Sequence, residues 1–223
     1  MPVHEYANLI DHTLLKADAT AKQIHQLCTD AQTHRFFSVC VNPSRVALAA
    51  GLLAASEVSV CTVVGFPLGA NTTASKRHET EDALAAGADE IDMVINLGAL
   101  KDGHWDAVKA DMAGIKKIAG DRIVKVILET CLLRDAEIEK SCLMALDAGL
   151  DYVKTSTGFS TGGATIAAVA LMRKVVGAHM GVKASGGIRS YEDAANMVKA
   201  GASRLGTSAG VAIVKGQTAA AQY

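Results

Sequence analysis

The 223-residue sequence predicts an α/β fold, a single closed barrel of eight parallel strands wrapped by helices, and three observations predict it. Short β-rich runs recur eight times along the chain. A stretch of helical periodicity follows each run, and strict alternation of the two calls for a parallel sheet. No linker, low-complexity tract or block of charge divides the chain. Eight strands close a (β/α)8 TIM barrel, and the length sits near the lower end for that fold. One domain over residues 1–223 is therefore expected, with a short flexible tail over about 216–223. A doubly wound open sheet is the alternative fold.

In order, the strands are expected at Leu9–Thr13, Phe36–Val41, Val58–Val64, Glu90–Asn96, Ile123–Glu129, Asp151–Ser156, Gly181–Ser185 and Arg204–Thr207. The intervening segments gather apolar residues on one helical face, as Ile24, Leu27, Cys28 and Ala31 do after the first strand, with charged residues opposite. Three helix-to-strand junctions share a pattern: Ala86-Gly87-Ala88-Asp89, Ala148-Gly149-Leu150-Asp151 and Ala200-Gly201-Ala202-Ser203. Glycine at each is a left-handed helix stop. Five residues beyond those glycines stand Asp92, Lys154 and Gly206, so equivalent strand positions carry an acid, a lysine and a glycine.

The 22 basic and 23 acidic side chains leave a formal net charge of −1, which gives no bulk attraction to nucleic acid or to a membrane surface. The five cysteines, Cys28, Cys40, Cys61, Cys131 and Cys142, are odd in number and form no CxxC pair. They read as reduced thiols, not as a disulfide frame or a zinc site. The longest apolar run lies within Val46–Ala55 and is roughly half a helical membrane span. Residues 1–5 carry no basic lead into an apolar stretch, so no signal peptide is expected. These features point to a cytoplasmic protein.

Alternate residues of a barrel strand face the helices and the interior. In the fourth strand Ile91, Met93 and Ile95 oppose Asp92, Val94 and Asn96; in the fifth, Val124, Val126 and Leu128 oppose Lys125, Ile127 and Glu129. The sixth sets Tyr152, Lys154 and Ser156 against Val153 and Thr155, and the seventh sets Lys183 and Ser185 against Val182 and Ala184. With the apolar sets on the helices, Asp11, Cys40, Asp92, Lys125, Glu129, Lys154 and Lys183 converge inside. Structural salt bridges are the plainer reading of any one of them. Three lysines on three consecutive strands, however, are an expensive way to build a core, and they point to catalysis.

At the model lysine pKa of ~10.4 only roughly one amine in a few thousand is neutral at pH 7. Burial and a neighbouring ammonium both disfavour the charged form. Lys154 and Lys183, on adjacent strands, fit that arrangement and favour a carbonyl substrate held as a covalent imine. A second signal is anionic recognition, because glycine-rich turns after the last strands expose backbone N–H groups. Thr155-Ser156-Thr157-Gly158, Ser185-Gly186-Gly187-Ile188-Arg189 and Gly206-Thr207-Ser208 are three such turns. Gly65-Phe66-Pro67-Leu68-Gly69 is as well explained by loop architecture as by a site. His12 falls opposite Asp11, on the helix-facing side. The seven histidines show no HxH or HExxH spacing, so no metal is expected, and without GxGxxG or a Walker loop neither are dinucleotides or ATP.

Five stretches carry a family resemblance: Ile10-Asp11-His12-Thr13-Leu14-Leu15, Gly65-Phe66-Pro67-Leu68-Gly69, Glu90-Ile91-Asp92-Met93-Val94-Ile95-Asn96, Val153-Lys154-Thr155-Ser156-Thr157-Gly158-Phe159 and Val182-Lys183-Ala184-Ser185-Gly186-Gly187-Ile188-Arg189. In this order, from about residue 8 to about residue 210, the chain resembles the deoxyribose-phosphate aldolases. The resemblance implies reversible cleavage of 2-deoxy-D-ribose 5-phosphate to acetaldehyde and D-glyceraldehyde 3-phosphate, with no metal or organic cofactor. Its partners would be these small phosphosugar and aldehyde molecules, with no nucleic acid and no membrane, and a homodimer is a family-level expectation.

The resemblance assigns Lys154 as the imine-forming nucleophile and Lys183 as the group that depresses its pKa and helps to move protons. Asp92 would work with Lys183 on the carbinolamine and hydroxyl protons, with the bond between C3 and C4 expected to break. Asp11, Cys40, Lys125 and Thr155 are implied substrate neighbours, and Gly158, Gly186, Gly187, Gly206 and Ser208 would hold the phosphate. Phe159 and Ala209 stand where some members have a lysine and a second serine, which implies a weaker dependence on the phosphate. Tyr223, the last residue, is implied to reach the site on a mobile tail and to move the C2 proton of the enamine. The competing readings are another lysine-imine phosphosugar or keto-acid lyase, a transaldolase-like enzyme, a non-covalent isomerase, and a catalytically silent phosphate-binding barrel.

Overall fold

The computed structural model describes residues 3–219. Its eight strands are β1 (Ile10–Leu14), β2 (Ser38–Val41), β3 (Ser59–Val64), β4 (Glu90–Val94), β5 (Ile123–Ile127), β6 (Tyr152–Lys154), β7 (Gly181–Ser185) and β8 (Arg204–Thr207). All pair in parallel with their sequence neighbours, and β8 returns to β1 through Ile10↔Leu205 and Asp11↔Gly206, which closes the barrel. The helices are α1 (Ala21–His34), α2 (Val46–Leu53), α3 (Thr73–Ala85), α4 (Leu97–Lys101), α5 (Trp105–Ala119), α6 (Asp135–Asp147), α7 (Ile166–Val176), α8 (Tyr191–Lys199) and α9 (Gly210–Val214). Among the described residues, no helix is long and apolar enough to cross a membrane.

Three strands end earlier than their hydrophobic pattern predicts, each for a local reason. β4 stops at Val94 because Asn96 leaves the ladder to cap α4, its side chain accepting from Ala99 N at 3.1 Å. β5 stops at Ile127, and Glu129 takes a left-handed backbone at φ 55°. β6 stops at Lys154, where the Thr155 hydroxyl and the Ser185 backbone exchange two 3.0 Å hydrogen bonds in place of a regular ladder.

The outward strand faces form the main core with the helices. Ile10, Val39, Ile91, Met93, Val124, Val126, Val153, Val182 and Leu205 are all buried in it. His12 joins this side as its position in the alternation predicts, with its ring against Phe36 and its Nε2 3.9 Å from Asp30 Oδ2 on α1. Within the barrel, Leu15, Cys40, Cys61 and Val63 form an apolar patch beside Phe66. The charges come from β1, which carries Asp11, and from β4 through β8.

The Gly65–Gly69 loop is fixed from beneath by α3. Gly65 N donates to Glu79 Oε2 at 2.6 Å. The fully buried Lys76 donates to Val94 O at 2.9 Å and to Asp111 Oδ2 of α5 at 2.6 Å. One ammonium thus ties α3, β4 and α5 together, and its burial is tolerable only because a carboxylate meets it. Replacing Asp111 with Leu leaves that ammonium uncompensated, and a loss of roughly 3–5 kcal/mol is expected in urea denaturation. A loss below about 1 kcal/mol would show that the pair is dispensable.

Candidate active site

The period-two alternation that sends apolar side chains outward sends the ionic ones inward, at two levels set by the strand register. Asp92 of β4 is level with Lys125 of β5, and Lys154 of β6 is level with Lys183 of β7. Asp92 gathers all three amines. Its Oδ2 accepts from Lys154 Nζ at 2.8 Å and from Lys183 Nζ at 2.7 Å, and its Oδ1 accepts from Lys125 Nζ at 2.8 Å. Beneath them Lys125 Nζ lies 2.5 Å from Glu90 Oε2, while Arg204 Nη1 lies 3.2 Å from Glu90 Oε2 and 2.8 Å from Asp11 Oδ1. Asp11 Oδ2 in turn meets Lys183 Nζ.

These contacts fix the ionisation of the buried groups. Burial alone would raise the Asp92 carboxyl, but Lys125, Lys154 and Lys183 outweigh it and hold that acid well below its usual range. Burial likewise opposes ionisation of Asp11, and Lys183, Lys125 and Arg204 overcome it. For Lys183, burial disfavours the ammonium, yet Asp11 and Asp92 together push its pKa above the ordinary lysine range. Lys125 is held protonated in the same way, against burial, chiefly by Asp92. Cys61 Sγ lies 3.3 Å from Asp92 Oδ1, and burial together with Cys40 and that carboxylate pushes its thiol up.

Above the charges, at the C-terminal ends of β6, β7 and β8, opens a cavity of about 530 Å³. Lys154 is the one lysine among its lining residues, and Thr13, Leu15 and Ser185 also line it. Gly158, Gly186, Gly187, Gly206 and Ser208, the five residues expected at a phosphate, all line it. Gly186 and Gly187 have φ of 85° and 82°, a backbone that side-chain-bearing residues rarely adopt. A Cβ on Gly206 would stand 3.0 Å from Lys183 Cε, so glycine here makes room for the amine.

Asp11, Cys40, Lys125 and Thr155, expected as substrate neighbours, do not line this cavity. Asp11 and Lys125 are committed to the ionic layer below it. Cys40 packs in the apolar patch. The Thr155 hydroxyl is used between strands. Glu129 is apart from the other charges: its turned backbone carries the carboxylate to Thr157, whose Oγ1 donates to it at 2.5 Å. Tyr223 lies outside the described residues.

Glu90, Arg204 and Arg189 are absent from the expected set. Glu90 stands two residues before Asp92 and Arg204 two before Gly206, so the same alternation that revealed Asp92 applies to both. Arg189, which closes the Ser-Gly-Gly-Ile-Arg turn, lines the cavity beside Gly187. Ala219, in the tail, also lines it, with its N–H donating to Arg189 O at 3.0 Å. As for metals, Cys40, Cys61 and Asp92 bring ligand atoms within 4.8 Å of one another, as do Asp11, Cys61 and Glu90. Every carboxylate in these two groups already faces lysine or arginine cations that would repel a metal ion.

A lysine amine lining a glycine-rich cavity, over a buried ionic layer and at the C-terminal face of a parallel barrel, defines a barrel enzyme for small carbonyl compounds. The model of the DeoC/LacD family aldolases matches residues 6–218. The chain belongs to that family. It is 59% identical over 219 residues to a deoxyribose-phosphate aldolase of Lysinibacillus sphaericus (strain C3-41), covering 98% of both chains. It is 57% identical to that of Streptococcus equi subsp. equi (strain 4047) over 100% of both. Among solved structures, the tetrameric deoxyribose phosphate aldolase from Aeropyrum pernix superposes with TM-score 0.90 at 36% identity, covering 96% of this chain and 91% of that one. An aldolase designated QR15 gives 0.91 at 39%, covering 95% of each.

The ionic layer has a defined dependence on pH. Asp11 and Asp92 have folded pKa values below the unfolded ~3.9, so their stabilisation is complete above that pH and is lost as pH falls through the folded values. Lys125 and Lys183 have folded values above ~10.4, so theirs is complete below that pH and is lost as pH rises beyond it. The urea midpoint is expected to hold a plateau between about pH 4 and pH 10 as far as this layer governs it, falling on the acid side. A midpoint that rises on acidification below about pH 4 would contradict this assignment.

Proposed function

We propose that this chain is a class I aldolase that reversibly cleaves 2-deoxy-D-ribose 5-phosphate into acetaldehyde and D-glyceraldehyde 3-phosphate through an imine on Lys154. The observation that carries the reading is the position of Lys154: among the described residues it is the one buried lysine that lines the cavity, together with the glycine turns after β6, β7 and β8.

The chemistry follows from the groups that Lys154 meets. Its neutral amine adds to the C1 aldehyde, and the carbinolamine loses water to give a protonated imine. Asp92, hydrogen-bonded to both Lys154 and Lys183, takes and returns the protons of these steps, and the C3 hydroxyl proton leaves as the carbon–carbon bond breaks. That bond is C2–C3, not C3–C4 as the resemblance reading had it. Only the C2–C3 electron pair is conjugated with the C1 imine, and acetaldehyde carries away C1 and C2. The enamine is then protonated at C2 and hydrolysed. Lys183, fixed as a cation by Asp11 and Asp92, keeps Asp92 ionised and positioned. Asp11 and Lys125 serve the substrate through this layer, while Cys40 and Thr155 shape its walls.

Arg189 supplies the cation for the 5-phosphate, with Gly158, Gly186, Gly187, Gly206 and Ser208 around it. Tyr223 is proposed as the residue that exchanges the C2 proton, since the chain passes Ala219 on the cavity rim. Self-association into a homodimer is proposed from the resemblance.

Reduction with borohydride in the presence of acetaldehyde should leave an ethyl group on Lys154, read by peptide mapping. No adduct on folded protein would remove the imine, and an adduct on Lys183 would reverse the two lysines. Arg189→Gln should lower kcat/KM for the phosphorylated sugar by roughly 10- to 100-fold, the worth of one charge-assisted hydrogen bond, and leave 2-deoxyribose nearly unaffected. Equal losses on both sugars would take Arg189 out of phosphate recognition. With Phe159 and Ala209 in place of lysine and serine, the parent enzyme should prefer the phosphorylated sugar less than relatives that carry both groups.

A further inference from the structure

Glu90 and Arg204 lie outside the groups the aldol chemistry uses, yet they complete the ionic layer beneath it. From Lys183 the contacts run to Asp92 at 2.7 Å, to Lys125 at 2.8 Å, to Glu90 at 2.5 Å, to Arg204 at 3.2 Å and to Asp11 at 2.8 Å, and Asp11 returns to Lys183. Three acids and three bases alternate around a closed circuit whose charges sum to zero. Lys154 is the seventh group and, among the described residues, is paired only with Asp92. Protonated, it takes the set to +1; neutral, it returns the set to zero. Each cation of the circuit faces two or more carboxylates, so Lys154 is the amine whose proton the set holds with the fewest partners.

We propose that Glu90 and Arg204 are positioning residues of the aldol reaction: each offsets the other's charge in the circuit beneath Lys154, and this balance holds the pH range in which Lys154 attacks an aldehyde. The inference rests on the imine reading above. Further polar groups border this space, among them the buried Ser38 of β2, level with Asp11. Tyr152 of β6 accepts from Arg204 Nη2 at 3.4 Å. Cys61 of β3 lies 3.3 Å from Asp92 Oδ1 and 3.4 Å from Lys125 Nζ. Cys40 of β2 packs beside Cys61, and the hydrogen bond between the two thiols draws Cys40 below the usual thiol range. The Arg204 guanidinium is pinned over the Phe37 ring at 3.4 Å, so it is held in one place with little freedom to follow a shifted charge.

The test is the pH dependence of cyanoborohydride trapping of acetaldehyde on Lys154, together with that of kcat/KM. Glu90→Gln leaves the circuit at +1 and should move the acid limb of both profiles toward lower pH by about one unit. Arg204→Gln leaves it at −1 and should move the limb about one unit the other way. Arg204→Lys and the double variant Glu90→Gln/Arg204→Gln restore zero, and each should return the parent limb. The shifts should persist in a Cys40→Val background, which removes one of the two thiols and leaves Cys61.

A merely structural role would lower amplitude in both single variants without moving their limbs apart. Limbs that stay put, or move in the same direction, in variants whose circular dichroism is that of the parent would overturn the proposal. Where a single variant does not fold, a displaced limb in Arg204→Lys or in the double variant would do so. Failure of the parent enzyme to form any adduct refutes the imine itself, whereas a parent adduct with unmoved limbs refutes only the role of Glu90 and Arg204.

Discussion

The carboxylate of Asp92 binds amines from three consecutive strands, β5, β6 and β7, with one oxygen shared by Lys154 and Lys183 and the other given to Lys125. Removing so many charges from water costs far more than ordinary core packing, and only mutual pairing at hydrogen-bond distance offsets it. Barrel closure supplies that geometry. Arg204 can reach Asp11 because β8 pairs with β1, and an open sheet would leave these two strands at opposite edges. The closed topology and the paired charges therefore require one another.

The barrel separates two tasks along its axis. Near the N-terminal ends of the strands, alternating charges and the Phe37 and Tyr152 rings enclose a fixed ionic layer. At the C-terminal ends, glycine turns leave open space and unencumbered backbone. Lys154 is where the two meet: its amine is hydrogen-bonded to the layer below and lines the cavity above. Recognition of an anionic substrate can thus vary with loop side chains such as Phe159 and Arg189, while the electrostatics around the amine stay with the strands. This division is the general logic of barrel enzymes, in which strand ends carry chemistry and loops carry specificity.

Much of this was legible in the sequence because barrel strands obey a strict period of two. The outward set Ile91, Met93, Val124, Val126, Val153 and Val182 follows the alternation, as does the convergence of Asp92, Lys125, Lys154 and Lys183. Glu90 and Arg204 obey the same rule. They escape a periodicity argument because each is the first residue of its strand, where apolar neighbours lie on one side only and phase is weakly determined. Glu129 failed for the opposite reason: its phase is right, but a left-handed backbone after Ile127 turns the side chain away, and no periodicity reports a single turned residue. Thr155 shows a further limit, because the use of its hydroxyl depends on how β6 meets β7, which is a tertiary fact. Lys76 was invisible for a related reason, since a lysine on a helix normally lies in water.

An ionic layer of this kind is poorly explained by stability. Exchanging buried ion pairs for apolar side chains of similar volume is often neutral or favourable, and the adjoining sector of this same barrel, Leu15, Cys40, Cys61 and Val63, shows that its interior can be filled without charge. What the charges provide is a fixed electrostatic environment at one amine. Apolar packing would remove most of the cost of burying the layer, but it would also remove the carboxylate that holds Lys154 in place and the cation that keeps this carboxylate ionised. A preorganised field is worth most where water is excluded and the dipoles need not reorganise during reaction. The position of the layer directly beneath Lys154, and not elsewhere in the barrel, is what that argument requires.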